Sequence, residues 1–118
     1  MTWVYFALAA GLGGFIRYVF EHKLQPLGKT GFPSATLIVN VAGAFLLGLV
    51  FAAPESYYQV IGVAFCGALT TFSGISAQLM RRVNSKAFSA ALNYLALTLV
   101  LGLAAAQIGL FLGDWLFN

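Results

Sequence analysis

Charged and metal-binding side chains are scarce in this sequence. Of its 118 residues only 8% are charged, and the only acids are Glu21, Glu55 and Asp114. There is one histidine, His22, and one cysteine, Cys66. A catalytic dyad, a metal cluster or a phosphate-binding loop needs groups that this composition does not provide. The composition therefore argues against an enzyme.

The lone cysteine and the basic balance both have plain structural explanations. Cys66 can form no internal disulfide and has no companions at metal-ligand spacing, so it is interpreted as a small packing residue. The net charge of +3 is compatible with nucleic-acid binding. However, the Lys and Arg side chains lie in two short connections with no soluble scaffold to present them. They are better explained as topology signals.

Apolar residues, by contrast, are abundant. They make up 61% of the chain, and the mean hydropathy is +0.91, which predicts an integral membrane protein. Four apolar runs are each near the ~17–25 residues that a membrane-spanning helix needs. They are Thr2–Phe20, Phe32–Ala53, Tyr57–Met80 and Phe88–Leu112. We therefore expect one all-α domain, residues 1–118, with four transmembrane helices.

The ends and connections of these runs narrow the function further. The connections are 21–31, 54–56 and 81–87. The start, MTWVYF, lacks the basic region of a cleavable signal, so we expect the first helix to be retained. A small multidrug-type transporter has this size and span number, but it needs a carboxylate within the membrane to exchange protons for cations. That function remains a distant alternative.

The stretch GALTTFSGIS, residues 67–76, interrupts the third apolar run with small and polar residues. Gly67 weakens helical propensity, Thr70 and Thr71 are β-branched, and their hydroxyls can bond to carbonyls one turn back. We predict a helix break at mid-membrane between about Gly67 and Thr71. Carbonyls released there must face protein, water or an ion, and they suit a small alkali cation. A kinked helix with small residues for tight packing is the alternative.

Two other runs contain polar groups that lipid cannot satisfy. Thr36 and Asn40 lie four residues apart, on one face of the second helix. They either line a polar pathway or form hydrogen bonds between packed helices. Arg17, three residues from the end of the first run, either reaches the membrane surface or is fixed inside. A fixed guanidinium would anchor loop carbonyls or attract anions.

Three motifs stand out in the first three runs: GLGGFIRY at 11–18, ATLIVNVAGAF at 35–45 and GALTTFS at 67–73. Together they resemble those of the Fluc (CrcB) family of fluoride channels. The resemblance covers essentially the whole chain and is weakest in the fourth helix. It implies an inverted dimer with two pores, through which fluoride leaves the cytoplasm passively after entering as HF. It also implies a structural sodium ion at the dimer centre.

The resemblance assigns roles to individual residues. It implies that backbone carbonyls of Gly67 and Thr70 bind the sodium ion. Arg17 matches the family arginine, with a structural or anion-attracting role. The remaining matches lie on the implied fluoride pathway: Asn40, its companion Thr36, the ring edge of Phe72, the hydroxyl of Ser73 and, in the fourth helix, Thr98. These donors and ring edges would replace the water around a small, tightly hydrated anion.

Departures from the family pattern concentrate in one pore. Ile75 stands where a second phenylalanine is expected, and Gln78 stands where an acid is expected. Ala35 replaces a glycine, and the run 101–103 has no serine. These differences leave two hypotheses, a subunit with at least one conducting pathway and a largely structural partner subunit.

Loop charges predict the orientation. The connections 21–31 and 81–87 contain five basic residues: Lys23, Lys29, Arg81, Arg82 and Lys86. The opposite side of the membrane has no Lys or Arg. The positive-inside rule places these loops in the cytoplasm and both termini outside the cell membrane. Because a chain that inserts both ways needs little bias, we expect an oppositely oriented paralogous subunit as the partner. A homodimer is the alternative.

Overall fold

A computed structural model describes residues 2–23 and 34–118. In this part the chain forms four helical segments, as predicted, and three of them are long and apolar enough to cross a membrane. The first, second and fourth segments are α1 (Thr2–Lys23), α2 (Ser34–Val50) and α6 (Phe88–Phe117). The third is divided into α3 (Glu55–Tyr57), a π-helical stretch π1 (Tyr58–Cys66), α4 (Gly67–Leu69) and α5 (Phe72–Asn84).

Several helix ends lie beyond the predicted ones. Helix α5 continues to Asn84, so Arg81 and Arg82 belong to its last turn and not to a loop as predicted. Helix α6 likewise extends past Leu112 to Phe117. Basic side chains near a helix C-terminus are favourable, because the free carbonyls there carry partial negative charge. Of the other predicted connection, 21–31, residues 24–31 lie outside the described residues, as does the start of the second predicted span.

Contacts between segments give their relative directions. A Cβ at Gly13 of α1 would overlap with the Phe65 carbonyl oxygen, and Arg17, one turn later, contacts Thr70. Helix α1 therefore runs parallel to the third segment. Helix α2 runs antiparallel to that segment, since Asn40 contacts Thr71 whereas Leu47 lies beside Gly62. The middle of α2 is thus held against the junction of α4 and α5.

Glycines allow α2 and α6 to pack backbone against backbone. A Cβ at Gly109 would overlap with the Phe45 carbonyl oxygen, and one at Gly113 would overlap with that of Leu49. From the other side, a Cβ at Gly48 would overlap with the carbonyl oxygen of Ala106. Small residues at helix interfaces are typical of membrane proteins, where close packing replaces the hydrophobic driving force.

Substitution of Gly109 by alanine is expected to separate α2 from α6. The added methyl has no space against the Phe45 backbone, so overpacking should destabilise the protein by about 1–3 kcal/mol. Thermal unfolding in detergent would measure the loss. Gly11→Ala is the matched control, because a Cβ at this helical glycine meets nothing within 4 Å. Equal melting temperatures for the two variants would contradict the packing argument.

Candidate functional site

The interruption of the third segment covers two residues. Thr70 has φ −82° and ψ 158°, and Thr71 has φ −147° and ψ 118°, so both are extended. Helix α5 begins at the next residue, Phe72. Gly67 is itself helical, with φ −62° and ψ −36°, so the interruption is narrower than the predicted range from Gly67 to Thr71. Branching at Cβ suits the extended backbone of the two threonines.

Threonine hydroxyls bond to both helix ends at this interruption. The N–H and the hydroxyl of Thr70 both donate to the carbonyl oxygen of Cys66, each at 2.9 Å. The hydroxyl oxygen of Thr71 accepts a bond from the N–H of Gly74 at 3.0 Å, which makes Thr71 the N-cap of α5. Such a cap stabilises a helix start by about 1 kcal/mol. Short local bonds therefore end one helix and begin the next.

Side chains from two other helices bond to the backbone of the interruption. The Thr71 N–H donates to Oδ1 of Asn40 at 2.7 Å, and Nδ2 of Asn40 donates to the Thr71 carbonyl oxygen at 3.2 Å. From α1, Nη1 of Arg17 donates to the Thr70 carbonyl oxygen at 3.2 Å. Arg17 thus anchors a backbone carbonyl, which is one of the two roles expected for a fixed guanidinium.

An open cleft of about 360 Å³ lies beside the interruption. It brings together Asn40, Phe72, Thr98 and Thr70 of the predicted site, and also Ile75. The other lining residues come from α2, the third segment and α6: Gly43, Ala44, Leu47, Cys66, Thr71 and Gly102. None of the described residues that line the cleft is charged. The cleft therefore combines amide and hydroxyl groups with apolar walls, a surface able to contact an ion without holding it by charge.

Two aromatic or polar side chains of this region are open to the surroundings. Phe72 is 82% exposed, so its ring does not pack against its own chain. Ser73 is also exposed, and its hydroxyl lies 3.1 Å from that of Thr71. On α6, the Thr98 hydroxyl donates to the Tyr94 carbonyl oxygen at 2.8 Å.

Other predicted site residues lie beside the cleft rather than on its wall. Thr36 is buried, and its methyl lies 3.4 Å from the position of a Cβ built at Gly74. Gln78 lies one turn beyond the cleft, where its side-chain oxygen accepts a bond from Nη1 of Arg82 at 3.0 Å. Arg82 also lies over the Tyr94 ring, at 5.6 Å from the centroid. The neutral amide of Gln78 is thus sufficient to accept this bond from Arg82.

Backbone oxygens at the interruption fit a small cation. Among residues 2–23 and 34–118, no group of three or more His, Cys, Asp or Glu side chains could hold a metal. In a continuous helix the Gly67 and Thr70 carbonyls would accept from the N–H groups of Thr71 and Gly74. Those N–H groups instead bond to Asn40 and to the Thr71 hydroxyl. The two carbonyls are hard oxygen donors, but that of Thr70 also accepts from the Arg17 guanidinium, so a cation would share this oxygen with a positive charge and a second chain would have to supply further ligands.

Some residues of the site were not predicted as such from sequence. Gly43 is essential for the close approach of α2, because a Cβ there would overlap with the Thr70 methyl. Its spacing of three residues from Asn40 is the available sequence signal, since it places both on one helix face. Thr71 was predicted only as a helix-weakening residue. A threonine directly before an apolar residue such as Phe72 is a normal N-cap pattern, which is the available sequence signal.

Comparisons with known proteins agree on one family. Residues 4–110 match the family described as CrcB-like protein, Camphor Resistance (CrcB). The chain is 39% identical over 114 residues to "Fluoride-specific ion channel FluC 1" of Streptococcus pneumoniae serotype 4, covering 95% of this chain and 100% of that protein. It is 40% identical over 118 residues to "Fluoride-specific ion channel FluC" of Deinococcus radiodurans, covering 94% of each. A "Fluoride-specific ion channel FluC 2" of Bacillus thuringiensis subsp. konkukian is 36% identical over 113 residues, covering 91% of this chain and 96% of that protein.

Proposed function

Since the chain belongs to the CrcB family of ion channels, we propose that it is a subunit of a fluoride-selective channel that allows passive export of fluoride from the cytoplasm. Membership of this family makes it a membrane channel protein and not an enzyme. The observation that carries the proposal is the uncharged cleft in which Asn40, Thr98 and Phe72 meet. The Nδ2 N–H of Asn40 that is not bonded to Thr71 is a donor that can replace fluoride's water without binding it too firmly to leave.

The proposed pathway uses the residues that the sequence predicted. Asn40, Phe72 and Thr98 lie on the cleft, and the exposed hydroxyl of Ser73 extends the polar surface beside it, whereas Thr36 is buried next to Gly74. A larger halide gains less from the same donors, because its more diffuse charge lies farther from them. Arg17 lies at the edge of this region and contributes positive charge near the Thr70 carbonyl. That charge favours entry of anions.

A dimer of opposite orientation is the proposed assembly. Phe72 and Ser73 are exposed in the single chain although they lie beside a helix interruption within a membrane segment. Polar groups and non-helical backbone at such depth need protein or water around them and not lipid. A second subunit would supply that cover. The second subunit would also supply the remaining oxygen ligands for a structural sodium ion beside the Gly67 and Thr70 carbonyls. Such an ion would place a positive charge at the dimer centre.

A paralogous partner is the proposed second subunit, by the loop-charge argument given above. A largely structural role for this chain is the second candidate function, and one observation favours it. Ile75 lines the cleft at the position where the family resemblance implies a second phenylalanine. An aliphatic side chain has no positive ring edge to offer an anion. In this case the working pore residues would come mainly from the partner.

Fluoride efflux from liposomes tests the proposal. The purified chain, reconstituted alone and together with a paralogous subunit, is expected to release fluoride much faster than chloride in at least one preparation. Protein-free liposomes measure the leak of HF, and a fluoride electrode measures the release. If neither preparation exceeds that leak although dimers are present, the chain is not a fluoride channel subunit. Flux that survives disruption of this chain's cleft would favour the structural role.

A further inference from the structure

Asn40 uses both ends of its amide on a single residue of another helix. Oδ1 accepts from the Thr71 N–H at 2.7 Å, and Nδ2 donates to the Thr71 carbonyl oxygen at 3.2 Å. This pair of bonds resembles one rung of a β-ladder, with a side-chain amide in place of the second strand. A primary amide has two donors and one acceptor group, so one Nδ2 N–H remains for the cleft.

The bond to the Thr71 N–H occurs where the helix cannot supply one. In a continuous helix this N–H would donate to the Gly67 carbonyl, but Thr71 is extended and donates to Asn40 instead. The Thr71 carbonyl, as that of an N-cap, begins the ladder of α5 and accepts a further bond from Asn40. A peptide group that is withdrawn from water and left unbonded is costly, and the cost is greater in a membrane. Asn40 therefore supplies the hydrogen-bond acceptor that the Thr71 N–H lacks once α4 ends. The close contact between Gly43 and the Thr70 methyl brings α2 near enough for these bonds.

The orientation of the Thr71 peptide determines the start of α5. The Thr71 hydroxyl accepts the Gly74 N–H and lies 3.1 Å from the Ser73 hydroxyl. Phe72, between them in sequence, lines the cleft. Rotation of the Thr71 peptide would therefore move the N-cap, the aromatic ring and the serine hydroxyl together.

We propose that Asn40 is a positioning residue, whose amide fixes the Thr71 peptide and so aims Phe72 and Ser73 at the ion pathway. This inference rests on the proposed channel function but assigns Asn40 a different task from direct contact with the ion. The bond between Asn40 and Thr71 is a property of the fold, and it exists whether or not fluoride passes. A test therefore needs one readout for permeation and one for structure.

The test removes the Thr71 N–H without altering any side chain. Thr71 is replaced by its α-hydroxy acid in cell-free synthesis, which converts that peptide bond to an ester. Four proteins form a cycle: the parent, the Thr71 ester, Asn40→Ala, and the two changes combined. Fluoride flux and detergent melting temperature are measured for each, with the partner subunit present if the parent requires it. An ester at Leu103, which is exposed on α6, controls for ester substitution in a helix.

The expected result is strong coupling in both measurements. The Thr71 ester and Asn40→Ala should each lower flux by about tenfold, and the ester should change flux by less than about twofold once Asn40 is alanine. The Leu103 ester should keep flux within about twofold of the parent. Losses that multiply in the double variant, or wild-type flux for the Thr71 ester, would overturn the inference.

The melting temperatures separate this inference from the proposed function. Suppose that the parent conducts fluoride and that the Thr71 ester and Asn40→Ala are coupled in melting temperature, but the ester leaves flux unchanged. The bond is then purely structural, and the positioning role is overturned. A parent that conducts no fluoride refutes the channel proposal, whereas coupling in melting temperature would still show the bond. Absence of coupling in melting temperature overturns the bond itself.

Discussion

Replacement of Asn40 by aspartate is expected to suppress fluoride flux by about a hundredfold or more, because two unit charges 4 Å apart at an effective dielectric constant of about 20 repel by ~4 kcal/mol. The substitution is nearly isosteric, so side-chain volume does not enter the comparison. It changes the charge on the wall of a cleft whose described lining residues are all neutral. An anion that enters the cleft then meets a fixed negative charge.

A second effect of the same substitution acts on the backbone. A carboxylate can still accept the Thr71 N–H, but it cannot donate to the Thr71 carbonyl oxygen, 3.2 Å from Nδ2 in the parent. Two oxygens that both accept would face each other at that distance. The Thr71 peptide should therefore turn away from α2, which moves Phe72. Asn40→Ala removes both bonds without adding charge, and its smaller expected loss of about tenfold isolates the backbone effect.

Asn84→Asp provides the matched control, because Asn84 is exposed at the end of α5, beyond the predicted span, and does not line the cleft. Liposome flux and dimer content would be measured together for all three variants. Asn40→Asp should lose flux while the dimer still forms, and Asn84→Asp should conduct like the parent. Parent-like flux in dimeric Asn40→Asp would remove Asn40 from the pathway.

The helical segments could be predicted because membrane helices depend mainly on local composition. Runs of apolar residues near the required length predict the segments, and the structure confirms four helical segments within residues 2–23 and 34–118, three of them candidate spans. The ends were less accurate, since polar residues such as Arg81 can continue a helix beyond the lipid. The π-helical stretch Tyr58–Cys66 has no composition signal of its own. It depends on how the segment packs against α1 and α2.

The candidate site divides in the same way. Thr70, Thr71 and Asn40 could be selected because polar residues in an apolar run require an explanation. The pairing of Asn40 with Thr71 could not be predicted, because the two residues are 31 positions apart in sequence and their contact depends on the register between α2 and the third segment. Gly43 was missed for the same reason. A glycine indicates a close approach only when the neighbouring helix is known.

A chain expressed alone is expected to insert in one orientation and to conduct no fluoride. Because α1 and the third segment are parallel, the ends that carry Lys23 and Arg81 lie on the same side of the bundle. Lys86 lies in the turn that follows on that side. Arg82 is only 5% exposed and bonds to Gln78, so it is less free to act as a surface charge than the sequence count implies. Lys29 lies outside the described residues.

The remaining bias still predicts cytoplasmic placement of this end and external placement of both termini. An inverted homodimer needs chains of both orientations, which a strongly biased sequence does not provide. A paralogue with the opposite bias would provide them. Reporter fusions at the C-terminus measure orientation, and liposome flux with and without the paralogue measures the requirement for a partner.

Charge substitutions make this orientation test sharper. Lys23→Gln combined with Lys86→Gln should raise the share of chains in the opposite orientation, because it removes two of the five positive charges from one side. Arginine at the same two positions keeps the charge and should keep one orientation. If the glutamine variant then conducts fluoride without a partner, orientation alone was what prevented a homodimer. If it inserts both ways but stays silent, the defect lies in the pore, where Ile75 occupies the cleft wall. Equal orientations and robust flux for the unmodified lone chain would contradict the heterodimer and leave an ordinary homodimer.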